Sequence, residues 1–380
     1  MNFTFTEEQQ MIRNLIRDFA EGEVAPGADE RDKTGEFPLE VFKKMAKLDL
    51  MGLPFPEEYG GGGADTISFA IVTEELSRVC ASTGITYSAH ISLGGAPINM
   101  FGTHEQKQTY LTPLARGEYF GAFGLTEPNA GSDAGGTRTT AVKEGNEWVI
   151  NGSKCYITNA SYAKALALTA VTDKSKGTSG ITAFIVPTDA KGFSVVSDYE
   201  KMGLHASNTT QLFMEDVHVP HENMLGLEGS GFKQFLATLD GGRIGIGAMA
   251  VGIAQGAYEK ALAYANERTQ FGQTLSKFQA IQFKLADMAM NIELARNMVH
   301  KAAWLKDQGR KFSKEAAMAK LFASEMCMRV CDQAVQIHGG NGYMKEYQVE
   351  RFFRDAKLLE IGEGTSEVLR IVISREIGCK

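Results

Sequence analysis

The sequence predicts a mixed, mainly α fold in three parts: an N-terminal helical domain (1–119), a middle antiparallel β domain (120–229) and a C-terminal four-helix bundle (230–380). Three observations predict it. Apolar residues recur at helical spacing through the first third of the chain. From Phe120 they give way to short β-branched and aromatic runs broken by Gly, Asn, Asp and Pro. Beyond Gly231 the helical period returns in long segments almost free of proline. At 380 residues the chain exceeds one ordinary core, so two or three domains and a large ligand pocket are expected.

The elements follow in order. Thr6-Glu7-Glu8-Gln9 is a capping box, and Met11, Ile12, Leu15, Ile16 and Phe19 behind it make an amphipathic helix. Pro38 suits the first position of a helix that carries Val41, Phe42, Met45 and Leu48. Residues 68–77 and 105–115 read as further helices, and the glycine run 60–63 as a loop. Strands are expected at 148–150, 156–158, 167–171, 181–186, 193–196 and 211–219. Long helices are expected at 232–268, 278–308 and 314–337. Gly245, Gly247, Gly252 and Gly256 have the wrong spacing for a dinucleotide fingerprint and no strand before them; close helix packing explains them better.

Bulk properties exclude several functions. A composition of 43% hydrophobic and 22% charged residues is that of a soluble globular protein, and no apolar run is expected to approach the roughly 20 residues needed to span a bilayer. The N-terminal stretch resembles neither a secretion signal nor a transit peptide, so the cytoplasm of a bacterium is the expected location. A net charge of −7 without a basic stripe argues against nucleic acid. Cys80, Cys155, Cys327, Cys331 and Cys379 form no CxxC pair, so reduced thiols are expected rather than disulfides or zinc. HExxH, Walker-type and GxSxG motifs are absent and the histidines are dispersed; no metal site is expected.

Three glycine-bracketed polar segments remain. In 124–133 (Gly-Leu-Thr-Glu-Pro-Asn-Ala-Gly-Ser-Asp) the glycines let backbone N–H groups approach an anion or a polar ring edge, though a plain turn has the same pattern. Residues 337–343 interrupt a helical region with glycines, as a ligand loop or a helix connection would. In 360–367, Glu363 stands between Gly362 and Gly364 and Thr365 can cap the next helix. A substrate could lie directly against that carboxylate; an exposed loop acid would look the same.

Taken with Asn151-Gly152-Ser153-Lys154, Tyr156-Ile157-Thr158-Asn159, Glu267-Arg268-Thr269-Gln270-Phe271-Gly272, Ala334–Gly342 and Arg354-Asp355-Ala356-Lys357, these segments resemble the acyl-CoA dehydrogenases over essentially the whole chain, of bacterial short/medium or branched-chain type. The resemblance implies FAD between the β and helical parts. Phe123, Leu125, Thr126, Gly131 and Ser132 would wrap the isoalloxazine edge and pyrophosphate, and Tyr156, Ile157 and Thr158 the flavin face and N5 side. It also implies a homotetramer in which Arg268, Phe271, Phe278, Gln279, Gln336, Gly339 and Gly340 reach a neighbour's FAD. Thr365 and Glu367 would complete the adenosine and pyrophosphate side, and Ser132, Asp240, Arg243 and Gly364 would contact the CoA part of the substrate, although a purely structural pairing of Asp240 with Arg243 fits equally.

The implied reaction is FAD-dependent α,β-dehydrogenation of a saturated acyl-CoA to the trans-2-enoyl-CoA, as in fatty acid β-oxidation. Glu363 would remove the α-proton and flavin N5 take the β-hydride, with electrons passing to electron-transfer flavoprotein. A proton beside a thioester is too weakly acidic for a free carboxylate, so the base must be strengthened by burial. Some branches of the family carry the base just before the Arg of the segment corresponding to Leu239-Asp240-Gly241-Gly242-Arg243; here that slot is Gly242 and the later one is Glu363. One departure stands out: Gly362 replaces a tyrosine common before the base, which leaves acyl-chain preference open. The rivals are an oxygen-using flavoenzyme of the same fold and a non-catalytic CoA-thioester-binding flavoprotein.

Overall fold

A computed structural model describes residues 4–379; residues 1–3, part of the N-terminal stretch read above, and residue 380 lie outside the described residues. The expected capping box opens helix Glu7–Phe19: the Thr6 hydroxyl accepts from the Gln9 N–H, and the Gln9 carboxamide accepts from the Thr6 N–H. Ile16 and Phe19 are buried, but Met11 and Leu15 are exposed, so the buried stripe is narrower than the spacing implied. Pro38 lies one position earlier than expected, as the cap of helix Leu39–Ala46. Residues 105–115 are helical but not one regular helix: a wide turn, Lys107–Leu111, separates His104–Gln106 from Thr112–Ala115. Helix Thr66–Val79 is buried on all sides between the N-terminal layer and the bundle.

The middle of the chain folds into strands β1 (Ala122–Gly124), β2 (Thr140–Glu144), β3 (Glu147–Thr158), β4 (Ala165–Val171), β5 (Ile181–Pro187), β6 (Phe193–Asp198), β7 (Thr209–Pro220) and β8 (Met224–Leu225). They form one sheet in the order β6-β7-β3-β2-β4-β5-β8, with β1 beside β4. Most pairs are antiparallel as expected, but β1 and β2 each meet β4 in parallel, so the sheet is mixed. The intervening strands make connections long enough to bring β4 back in the same direction. The strands expected at 148–150 and 156–158 are a single strand, β3, which keeps its pairing to β7 through two irregularities, between Ile150 and Gly152 and between Lys154 and Ile157.

Period-two alternation in β4 and β5 places the sheet between two cores. Ala165, Ala167, Ala183 and Ile185 face the N-terminal helices with Phe19, Phe42 and Tyr87. Leu166, Leu168, Phe184 and Val186 face the opposite core with Trp148 and Leu212.

Helices Gly231–Glu267, Gln279–Asp307 and Ser313–His338 are the three long members of the bundle, and Val349–Ala356 with Ser366–Glu376 supply its fourth side. The glycines of the first member allow close packing, as expected: a Cβ at Gly252 would lie 2.2 Å from the Glu74 carbonyl and one at Gly256 2.1 Å from that of Arg78. Gly231–Glu267 is long and apolar enough to cross a membrane, but 72% of its most apolar window is buried inside the protein. The Arg354-Asp355 motif ties the three regions together. Arg354 Nη2 donates to Asp32 at 2.7 Å, and Asp355 accepts from the Leu204 N–H at 2.6 Å.

Candidate active site

Thr365 caps helix Ser366–Glu376 by accepting from the Val368 N–H at 3.3 Å. The two residues before this cap bend the chain sharply: Glu363 has φ 54° and Gly364 φ 102°. A left-handed conformation is strained for a glutamate and ordinary only for glycine, and strained residues of this kind concentrate where geometry serves function. The bend aims the Glu363 side chain back at the middle of the bundle rather than at solvent. A Cβ at Gly242 would stand 2.0 Å from Glu363 Oε2 and 3.1 Å from Leu93 Cδ2. Glu363 thus fills the space that a side chain at 242 would occupy, and the two slots compared in the sequence are one place in the fold.

Glu363 Oε2 is buried with no hydrogen-bond partner among the described residues. Burial pushes its carboxyl up to about 7; the positive charges of Lys320 and Arg243 pull the other way. Arg243 is buried and donates through Nη1 to Asp240, whose other oxygen accepts from Ser313 Oγ. Its Nε has no partner among the described residues. Lys320, on helix Ser313–His338, is fully buried, and its Nζ donates to the Gly364 carbonyl at 2.7 Å. Sequence reasoning missed this lysine; its one signal was a cation in a row of small residues, Ala316, Ala317, Ala319 and Ala323, that must face a core.

The 124–133 loop is held from behind. Lys154 Nζ, fully buried, donates to Glu127 Oε1 at 2.8 Å and to the Leu125 carbonyl at 3.4 Å. Glu127 also accepts from the Thr137 hydroxyl and from the N–H groups of Arg138 and Thr139. Burial pushes the Glu127 carboxyl up, but the Lys154 charge and these hydrogen bonds outweigh it and hold it at about 2. Phe123 stacks on Phe235 at 4.1 Å between centroids. The second irregularity of β3 gives Tyr156 a φ of 58° and turns its ring outward, 65% exposed and 5.1 Å from the Tyr199 ring. Ile157 points into the β core, so only its backbone faces the same side, while Thr158 is half-buried.

Gly131 and Gly340 lack a positive φ, and a Cβ at either would meet nothing within 4 Å among the described residues. Neither the backbone nor packing within the chain requires glycine there, and the space beside both is open to close approach from outside the chain. A flat, phosphate-bearing group fits this loop, with Ser132 exposed beside Gly131 and Thr126 half-buried. Gly362 is equally unforced, since a Cβ there would meet only Leu358, no nearer than 3.6 Å.

The remaining expected residues gather at the far end of the bundle. Strands Thr269–Gln270 and Gln273–Thr274 pair around Phe271 and Gly272, with φ of 49° and 80°. Such a turn projects Phe271, which is 94% exposed. Phe278 meets the Phe271 ring edge-on at 6.2 Å, and Gln279 begins the next helix. Tyr264 stacks on His338 and accepts from Asn341 Nδ2, which brings this end beside exposed Gln336, Gly339 and Gly340. Arg268 and Glu367 are exposed, and Thr365 and Gly364 half-buried. Among the described residues no hydrogen bond, ion pair or ring contact joins the 268–279 hairpin to Thr126, Ser132, Tyr156 or Glu363.

Comparison with known proteins covers the chain. Family models for the acyl-CoA dehydrogenase N-terminal, middle and C-terminal domains match residues 6–118, 122–217 and 229–378. The sequence is 64% identical to probable acyl-CoA dehydrogenase YngJ of Bacillus subtilis (strain 168), over 99% of this chain and 100% of that one. It is 54% identical to the short-chain specific acyl-CoA dehydrogenase of Clostridium acetobutylicum, again over 99% and 100%. Among solved structures, butyryl-CoA dehydrogenase from Megasphaera elsdenii superposes with a TM-score of 0.98 at 48% identity, over 99% of this chain and 100% of that one. A chain in the structure of the electron transferring flavoprotein of Acidaminococcus fermentans superposes with a TM-score of 0.99 at 51% identity, over the whole of both. Acyl-CoA dehydrogenase complexed with FAD from Bacillus anthracis gives 0.93 at 37%, over 98% of this chain and 67% of that one.

Proposed function

Because the chain belongs to the acyl-CoA dehydrogenase family, we propose that Glu363 is the base that removes the α-proton of a saturated acyl-CoA on the way to the trans-2-enoyl-CoA. The protein is an oxidoreductase of this class and its cofactor is FAD. When bound, FAD supplies the acceptor for the β-hydride. The loop 124–132, the outward ring of Tyr156 and the Thr365 turn would hold it, and exposed Ser132 with Gly364 and Asp240 would meet the CoA part of the substrate.

One observation carries the assignment: a buried carboxylate oxygen without a hydrogen-bond partner among the described residues, seated in the space that a glycine at 242 leaves free. Burial brings the carboxyl near 7, close to where a general base works best, and further desolvation by an acyl chain strengthens it. Arg243 and Lys320 limit that rise so that the group still ionises at neutral pH. Short acyl chains are proposed as substrates, supported by the names of the relatives at 54% and 48% identity. Electron-transfer flavoprotein as acceptor, a homotetramer, a bacterial cytoplasmic location and the division at 119 and 229 belong to the same proposal.

The test is anaerobic. A saturated short-chain acyl-CoA should bleach the flavin, with a rate that rises with pH through about 7 as Glu363 ionises. Glu363→Gln should bind the thioester without bleaching; normal bleaching by that variant overturns the base assignment. Rapid reoxidation of the bleached enzyme by air would favour the oxygen-using reading, and an acyl-CoA panel fixes the chain length.

A further inference from the structure

We propose that Lys320 is a positioning residue for the reaction: its buried ammonium grips the Gly364 carbonyl and so locks the strained 363–364 turn with the Glu363 carboxylate over Gly242. The inference rests on Glu363 being the base. The lysine lies on a different element, helix Ser313–His338, and reaches the turn from beneath. Glu363 and Gly364 have φ of 54° and 102°, a conformation that costs energy and persists only where neighbours over-determine it. The Thr365 cap holds the turn from the C-terminal side. On the N-terminal side the Gly362 N–H donates to the Leu358 carbonyl at 2.8 Å, continuing the preceding helical turn. Between these two ties, the bond from Lys320 is the one side-chain hydrogen bond to the backbone of 363–364 among the described residues.

A lysine with no exposed surface is an expensive way to hold a single carbonyl, because burying an ammonium disfavours its charged form. Burial lowers its pKa to about 8, with Arg243 acting in the same direction and Glu363, Glu360 and Glu367 opposing. Near neutral pH it is therefore still mostly charged. A neutral amide could donate the same hydrogen bond, so the charge itself needs a reason. The carboxylate that most favours its charged form is Glu363, whose own neighbouring cations are Lys320 and Arg243. The ammonium therefore serves the base twice, by the hydrogen bond that fixes its backbone and by the field that favours its ionised form.

Two variants separate these effects. Lys320→Gln keeps a donor for the Gly364 carbonyl but loses the charge; Lys320→Met loses both. With FAD content and melting temperature checked, Lys320→Gln should move the pH limb of flavin bleaching upward by on the order of one unit and keep most of the plateau rate. Lys320→Met should show the same shift and a plateau lower by about tenfold or more. An infrared titration of the protonated Glu363 carboxyl, identified by its loss in Glu363→Gln, should show the same upward displacement in both variants without any turnover. An unshifted carboxyl and unshifted pH limb in folded Lys320→Gln overturn the inference while Glu363→Gln stays inactive. Normal bleaching by Glu363→Gln would instead overturn the base assignment itself. Should neither lysine variant fold, a crystal structure of the unaltered holoenzyme decides: Nζ beyond hydrogen-bond distance of the Gly364 carbonyl overturns the inference, and Nζ within it supports it.

Discussion

At the residue scale, the proposed chemistry rests on one side chain whose surroundings are hostile to its charge. Glu363 ionises near 7 in the folded chain against an ordinary 4.5. Between those values the folded state holds a proton that the unfolded chain has released, so this group's contribution to stability is full below 4.5 and is lost as pH rises through 7. Glu363→Gln has no such loss. Its melting temperature should therefore nearly match the parent's at pH 4 and exceed it by a few degrees at pH 8, reflecting on the order of 1 to 3 kcal/mol. Scanning calorimetry at equal FAD content checks this, and a margin that does not grow with pH would show that the carboxyl is not buried in solution. Glu363 was visible in the sequence because glycines flank it, but its burial was expected only from the implied chemistry and not from the local pattern. That burial comes from a positive φ at the residue and a glycine 121 positions earlier, a long-range contact that local patterning does not encode.

At the element scale, irregularities in the strands and turns shape the surfaces proposed to hold the cofactor. A bulge in β3 turns Tyr156 outward, and the buried Lys154–Glu127 pair fixes the 124–133 loop across the sheet from behind. Removing one partner of a buried pair strands the other charge, whereas removing both leaves only a packing defect. Lys154→Met should thus destabilise the protein by about 3–5 kcal/mol and release FAD, and adding Glu127→Gln should recover a substantial part of both losses. Urea melts and the flavin-to-protein absorbance ratio measure the two effects, and a double variant no better than the single one would show that the lysine's packing matters more than its charge. Helices were the most legible elements: 232–268, 278–308 and 314–337 were each placed to within one residue at either end by their apolar period. Strands were less so. Leu166, Leu168, Ala165 and Ala167 are buried on both faces, which removes the alternation that marks a half-exposed strand, and the direction of β1 beside β4 depends on pairing that the sequence does not show.

At the scale of the whole molecule, the surface carries more apolar area in one region than a solitary chain needs. Phe283, Met290 and Leu294 are at least half exposed on helix Gln279–Asp307 at spacings of seven and four, which places them on one face. Phe271 projects from the hairpin just before that helix with almost its whole side chain in solvent. Patches of this kind mark association sites. The proposed assembly accounts for them, and it accounts also for why Arg268, Phe271, Gln336 and Gly340 are accessible while, among the described residues, no hydrogen bond, ion pair or ring contact joins the hairpin to Thr126, Ser132, Tyr156 or Glu363. Two sets of variants should then behave differently. Met290→Glu with Leu294→Glu should break the assembly into smaller species in sedimentation equilibrium and lose FAD with it. Arg268→Ala should keep the assembly yet bind FAD at least about tenfold more weakly if, as proposed, its guanidinium serves the neighbour's cofactor rather than the contact. A dissociated Met290→Glu/Leu294→Glu protein that retains its full complement of FAD would mean that each chain completes its own cofactor site, and the exposed hairpin would then need another explanation.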